Sequence, residues 1–111
     1  MIKQGDVFYV DFNPTRGHDQ KNKRPAIALS NNLVSQYTGM TLVTPISTTD
    51  RNFPTYHMLR TTSKVKGKVL LDQVRSLDLE ASGVSKAEEK LSKEEFEEII
   101  HKFKLLLDIS L

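Results

Sequence analysis

Residues Gly5 to Phe12 read GDVFYVDF. In an extended chain Phe8, Val10 and Phe12 fall on one side, and Val7, Tyr9 and Asp11 on the other. Period two in aromatic and branched residues predicts a strand, and Asn13-Pro14 stops it. Working outward, the same grammar recurs. Residues 13–24 (NPTRGHDQKNKR) contain no apolar residue and read as a polar loop with Gly17 as a flexible point. Pro25 to Asn31 (PAIALSN) reads as a buried strand with proline at its first position, where no ladder donor is needed. Tyr37-Thr38-Gly39 marks a turn. Thr41 to Ser47 (TLVTPIS) is another strand, in which Pro45 suggests an edge or a bulge. Thr48 to Phe53 is a second polar loop. Thr55 to Arg60 and Lys68 to Val74 are strand candidates, joined by a hairpin-like connection over Thr61 to Gly67. Leu77 to Ser82 reads as a short helical turn that Gly83 ends.

The C-terminal segment changes period. Ser92 and Glu95 fit a capping box, in which hydroxyl and carboxylate each satisfy a free backbone donor. Phe96, Ile99, Ile100, Phe103, Leu106 and Leu107 recur at three- and four-residue spacing and form one apolar stripe, with Glu94, Glu95, Glu97 and Glu98 facing elsewhere or loading the helix start. Closely spaced strands followed by one amphipathic helix predict an α+β domain: a small, strongly curved antiparallel sheet or partly open barrel with a C-terminal helix. The boundaries expected are a single domain over 1–111, sheet-rich over 1–76, with the helix at about 92–108.

Composition bounds the function. At 111 residues, with 38% hydrophobic and 27% charged, the chain is a folded domain rather than a disordered tail. Its longest unbroken apolar runs are Val7–Val10 and Ala26–Leu29, too short for a membrane helix or a secretory signal. It has no cysteine, so disulfide frameworks and thiolate metal sites are excluded and a cytoplasmic location is the simplest expectation. The net charge of +2 conceals a split. Residues 1–75 carry 11 Lys/Arg against 5 Asp/Glu, a net +6, and residues 76–111 carry 5 against 9, a net −4. A basic body points to a polyanionic partner, although charge clusters are also ordinary solvated faces.

Most catalytic signatures are missing. His18, His57 and His101 show no metal-ligand spacing, the five glycines form no phosphate loop, and there is no GxSxG elbow. The loop 13–24 stands out, with Arg16, His18, Asp19, Gln20, Lys21, Lys23 and Arg24 between two strands. Pro25 fixes the backbone beside Arg24. A guanidinium there is suited to fork onto a phosphate, and equally to sit at the surface or pair with a carboxylate.

Three ordered blocks carry a resemblance. Gly5-Asp6-Val7, Asp11 to Gln20 (DFNPTRGHDQ) and Arg24-Pro25-Ala26 form the first. Thr38 to Thr48 (TGMTLVTPIST) is the second, and Leu71 to Asp78 (LDQVRSLD) the third. Together they resemble the MazF/PemK (Kid, ChpB) toxins from about residue 4 to 83. The resemblance implies an SH3-like curved fold, a homodimer, and a metal-independent endoribonuclease that cuts single-stranded RNA without a cofactor. It also implies a cognate antitoxin covering the RNA site, expected to be acidic and partly apolar. The family's catalytic arginine falls on Arg24, and its partner hydroxyl on Ser47, a serine in place of threonine. His18 matches the histidine of Kid-type members, but the arginine of the Kid scheme falls on Leu70, so Arg24 and Ser47 carry the expected chemistry. Asp19, Gln20, Lys23, Thr48, Phe53, Asp72 and Gln73 are the RNA-binding candidates, with Lys21, Arg51, Lys64, Lys66 and Lys68 adding attraction for the RNA backbone.

Two other readings stand beside this one. A CcdB-like, non-enzymatic toxin that binds gyrase would need a Trp-Gly-Ile end, whereas this chain ends Asp108-Ile109-Ser110-Leu111 and has no tryptophan. A plain SH3-like RNA- or peptide-binding module would need no Arg24/Ser47 pair.

Overall fold

The computed structural model describes residues 1–13 and 22–111. The quoted stretch forms β1 (Asp6–Asp11), paired antiparallel with β2 (Lys23–Ala28), which pairs in turn with β3 (Thr41–Ser47). Between β2 and β3 lies α1 (Asn32–Thr38). The chain continues through β4 (His57–Met58), β5 (Lys68–Val69), a single 3₁₀ turn at Leu71–Gln73, β6 (Arg75–Leu77) and β7 (Glu89–Lys90), and ends in α2 (Lys93–Leu105).

β3 is the branch point. Its first half, Thr41 to Val43, pairs with β6, and its last two residues, Ile46 and Ser47, pair with β5, which carries β4 beyond it. On its other side β3 pairs with β2, followed by β1 and β7. One strand serving two diverging partners makes the sheet curl into an antiparallel half-barrel. Pro45 therefore lies inside the sheet rather than at an edge. It occupies the step where β3 changes partner, its carbonyl accepts from Leu70 N at 3.0 Å, and the buried Thr44 hydroxyl donates to Leu70 O at 2.8 Å. A residue without an amide hydrogen fits where the ladder is already interrupted.

Both faces of the sheet are covered. Val7, Ile27, Leu29, Ile46, Val69 and Leu71 pack under α2 against Ile99, with Phe96, Ile100, Phe103 and Leu106 at the margin. Phe8, Val10, Ala26, Ala28 and Val43 face the other way, against Ile2, Leu77, Leu79 and Val84. The helical stripe stops short of its expected end: Leu107 is 67% exposed, and α2 closes at Leu105 rather than near 108.

Several expectations are corrected. Beyond the sheet-rich 1–76, β7 returns to pair with Asp6 and Val7. β2 begins at Lys23, so the polar segment is shorter than 13–24. The 37–39 turn is the end of α1, whose Asn31 cap accepts from Leu33 N and Val34 N and whose Gly39 closes it at φ 74°. The strand candidates over 55–60 and 68–74 shrink to two residues each. The capping box is half formed. Ser92 Oγ accepts from Glu95 N at 3.1 Å, but the Glu95 carboxylate turns inward, away from the helix start.

Candidate active site

β2 and β3 position the two expected catalytic side chains. Their register pairs Ala28 with Val43 and Ala26 with Pro45. The ladder stops there, and Arg24 and Ser47 each lie two residues beyond it in their strands. Opposed residues of an antiparallel pair project to the same side, so both lie on the face of Ala26 and Ala28, where the apolar cover gives out. On the other side, Arg24 pairs with Val10 of β1. Arg24 is exposed, and among the described residues no hydrogen bond or ion pair engages its guanidinium. With Asp11, Phe12, Asn13 and Asn22 it lines a cleft of about 220 Å³. The base of the arginine is thus fixed by two strands while its charged head faces an open depression.

Ser47 is half-buried at the end of β3. Its Oγ accepts from Thr49 N at 3.1 Å, so it caps its own loop. The hydroxyl hydrogen is not consumed by that bond and is free to donate. Gly67 holds the backbone beneath it. A Cβ at Gly67, whose φ is 133°, would lie 2.6 Å from the Ser47 carbonyl oxygen. Only glycine accommodates that approach and that dihedral together.

The remaining candidates separate into groups. Phe53 is 50% exposed and its ring stands 5.8 Å from that of Tyr56, whose hydroxyl lies 3.5 Å from Asp72 Oδ2. Gln73 follows Asp72 in the 3₁₀ turn, and both are exposed. Thr48 is exposed directly after Ser47. Lys23 is opposite Asp11 and lines a separate cleft with Tyr9 and Lys86, because alternate residues of β2 face opposite ways. Lys68, opposite Ser47, ties its ammonium to Arg51 O at 2.8 Å and Asn52 Oδ1 at 2.7 Å. His18, Asp19, Gln20 and Lys21 lie outside the described residues.

A second polar cluster centres on two buried side chains. His57 and Glu95 are 1% and 0% exposed, and His57 Nε2 meets Glu95 Oε2 at 2.7 Å. Lys102 Nζ lies 2.9 Å from His57 Nδ1. An ammonium only donates, so Nδ1 accepts and Nε2 carries the hydrogen given to Glu95. The amides of Arg60 and Thr61 donate to the same carboxylate at 2.9 Å each, joined by the Thr61 hydroxyl. Burial pushes the Glu95 carboxyl up, but the bonds from Thr61, His57 and Arg60 outweigh it and bring it down to about 2. Glu89 is built alike: burial raises it, and the amides of Ser63, Val65 and Lys64 lower it below the usual carboxylate range. Both carboxylates pin loops to the fold and offer nothing to a ligand. Among the described residues, no three His, Cys, Asp or Glu gather as metal ligands would, and no helix is long and apolar enough to cross a membrane.

Residues 3–107 match the family model of the PemK-like, MazF-like toxins of type II toxin–antitoxin systems. The chain belongs to this family. It is 37% identical over 82 residues to the endoribonuclease toxin MazF of Escherichia coli K12, covering 74% of this chain and 73% of that protein. It is 41% identical over 86 residues to the endoribonuclease toxin ChpB of the same strain, covering 72% of each. A crystal structure of MazF from Deinococcus radiodurans superposes with a TM-score of 0.79 at 27% identity, over 96% of both chains. In this PemK-like, MazF-like chain strand reading passed over one further basic residue on that face. Arg75, on β6 opposite Val43, falls on the same face as Arg24 and Ser47. Its only signal in the sequence is its place in the Gln73-Val74-Arg75 step.

Proposed function

We propose that this toxin is an endoribonuclease that cuts single-stranded RNA without a metal ion, using Arg24 and Ser47. The observation that carries the reading is a guanidinium, unengaged among the described residues, and a hydroxyl on one face of neighbouring strands, in a chain whose relatives are named endoribonucleases.

Without a metal, RNA is cut by its own 2′-hydroxyl. The 2′-oxygen bonds to phosphorus and passes its proton to a base. The bond from phosphorus to the 5′-oxygen breaks, and that oxygen takes up a proton. The products are a 2′,3′-cyclic phosphate and a 5′-hydroxyl. Negative charge builds on the non-bridging oxygens as phosphorus becomes five-coordinate. A fixed guanidinium, charged at every working pH, is suited to hold it. The Ser47 hydroxyl supplies a second donor there. His18 is the candidate proton carrier, because histidine exchanges protons near neutral pH. Asp19, Gln20, Thr48, Phe53, Asp72 and Gln73 are assigned to holding RNA, by stacking and by hydrogen bonds to base edges, whereas Lys23 faces the separate cleft beside Tyr9 and is left out. A homodimer in the cytoplasm, silenced by an acidic, partly apolar antitoxin segment that covers the same surface, completes the reading and would inhibit translation by destroying mRNA.

The test is incubation with long single-stranded RNA of varied sequence in excess chelator. Cleavage giving 2′,3′-cyclic phosphate ends is expected. Arg24→Ala should lower the rate by about 100- to 1,000-fold while the thermal unfolding curve stays in place. Absence of cleavage by the intact protein, or 5′-phosphate ends, would overturn the reading.

A further inference from the structure

The Arg75 side chain reaches from β6 to the far end of β1, 63 positions away in sequence, where its Nη1 donates to the Phe12 carbonyl oxygen. Its guanidinium carbon stands 6.0 Å from the centroid of the Phe12 ring. One planar group therefore holds both the backbone and the side chain of Phe12. Phe12 is a wall of the cleft that Arg24 lines.

The clamp does not neutralise the charge. A carbonyl takes one of the five guanidinium N–H donors, and a ring takes none. Arg75 is exposed, and among the described residues no carboxylate pairs with it. Two guanidiniums that no described carboxylate neutralises, Arg24 and Arg75, thus share one face of the sheet, each with its base fixed in a strand. The ring contact restricts the rotation of Arg75, so its free donors are presented in a set direction before any ligand arrives.

We propose that Arg75 is a second ligand for the RNA phosphate backbone at this site, and that through Phe12 it also holds the Arg24 cleft in its working shape. The inference rests on the ribonuclease reading. The two roles separate by substitution. Arg75→Lys keeps the charge but loses the planar fork and its contact with the Phe12 ring. Arg75→Gln loses the charge as well.

Binding of the full chain to a mixed-sequence pool of single-stranded 2′-fluoro RNA, which has no 2′-hydroxyl and cannot be cut, is measured across a range of salt. For Arg75→Gln, affinity should fall roughly tenfold, and the slope of log K against log salt should become shallower by about 0.7, the loss of one phosphate contact on a single strand. Arg75→Lys should keep the wild-type slope yet cut ordinary RNA roughly tenfold more slowly in single turnover. A wild-type slope and affinity in Arg75→Gln would overturn the phosphate role. A wild-type cutting rate in Arg75→Lys would overturn the clamp. If the wild-type chain binds the pool but cuts no RNA, the ribonuclease reading fails while the slope still decides whether Arg75 contacts phosphate.

Discussion

Glu95 and Arg24 are both charged, and the chain treats them in opposite ways. Glu95 is closed off from solvent and receives bonds from the His57 ring, the Arg60 and Thr61 amides and the Thr61 hydroxyl. Arg24 is rooted in the middle of a sheet but leaves its head exposed and, among the described residues, unengaged. The difference teaches which perturbed groups to read as function. Glu95, brought down to about 2, has the strongly shifted pKa that often marks an active site. Here every bond that shifts it comes from the protein, and no approach for a substrate remains. Arg24 has no such partner among the described residues, which is why the proposed function gives it an anion to hold.

The completed side breaks hardest. Glu95→Ala leaves the His57 ring and two amides without an acceptor and should cost about 3–5 kcal/mol, read from denaturant unfolding. A variant that unfolds at the wild-type denaturant concentration would remove the contrast between the two regions. Acid probes the same contacts without mutation. The folded-state pKa of Glu95 lies near 2, below the ordinary 4.5. Its contribution is therefore present above pH 4.5 and is lost as the pH falls toward 2. The loss amounts to about 3 kcal/mol. The slope of stability against pH in that window should flatten in Glu95→Gln, and an unchanged slope would assign the acid sensitivity to other carboxylates.

What the sequence disclosed follows the same division. Apolar periodicity reports burial, so it located β1, the buried half of β2, β3 and the stripe of α2. It is silent where polar residues form structure. Lys23 and Arg24 read as loop because nothing about them is apolar, yet pairing with Asp11 and Val10 draws them into β2. The caps of α1 are written in Asn31 and Gly39, but none of its residues is buried, so no stripe betrays it. β7 exists through its register with Asp6 and Val7 rather than through its own composition. The inward turn of Glu95 depends on His57, 38 positions earlier, a distance at which no local rule operates. Arg24 and Ser47 were legible as a pair only through the family resemblance, and strand alternation beyond the Ala26–Pro45 pair puts both on one face.

The boundary between the two regions can be moved by one methyl group. Gly67 lies under Ser47, with room for no side chain beside the Ser47 carbonyl. Gly67→Ala combines that overlap with an unfavourable φ and should destabilise by about 1–3 kcal/mol. Because the displaced atom belongs to Ser47, cleavage should fall by more than the unfolded fraction explains. Activity that tracks the folded fraction alone would show that the Ser47 backbone position does not matter to the reaction.

The smallest effect decides what Ser47 itself contributes. Its oxygen accepts from Thr49 N, a structural task that any hydroxyl at this position performs. Its hydrogen is not used by that bond. Ser47→Thr preserves both and adds a methyl at a half-buried strand end, where branched residues fit. It should fold and cut as the wild type does. Ser47→Ala removes both, and should cost roughly tenfold in single-turnover cleavage, the value of one donor to a charged oxygen, together with about 1 kcal/mol from the uncapped loop. If stability drops and the cutting rate of the folded fraction does not, Ser47 belongs with Glu95 among the groups completed inside the fold. Arg24 would then stand as the sole donor that β2 and β3 contribute to the reacting phosphate.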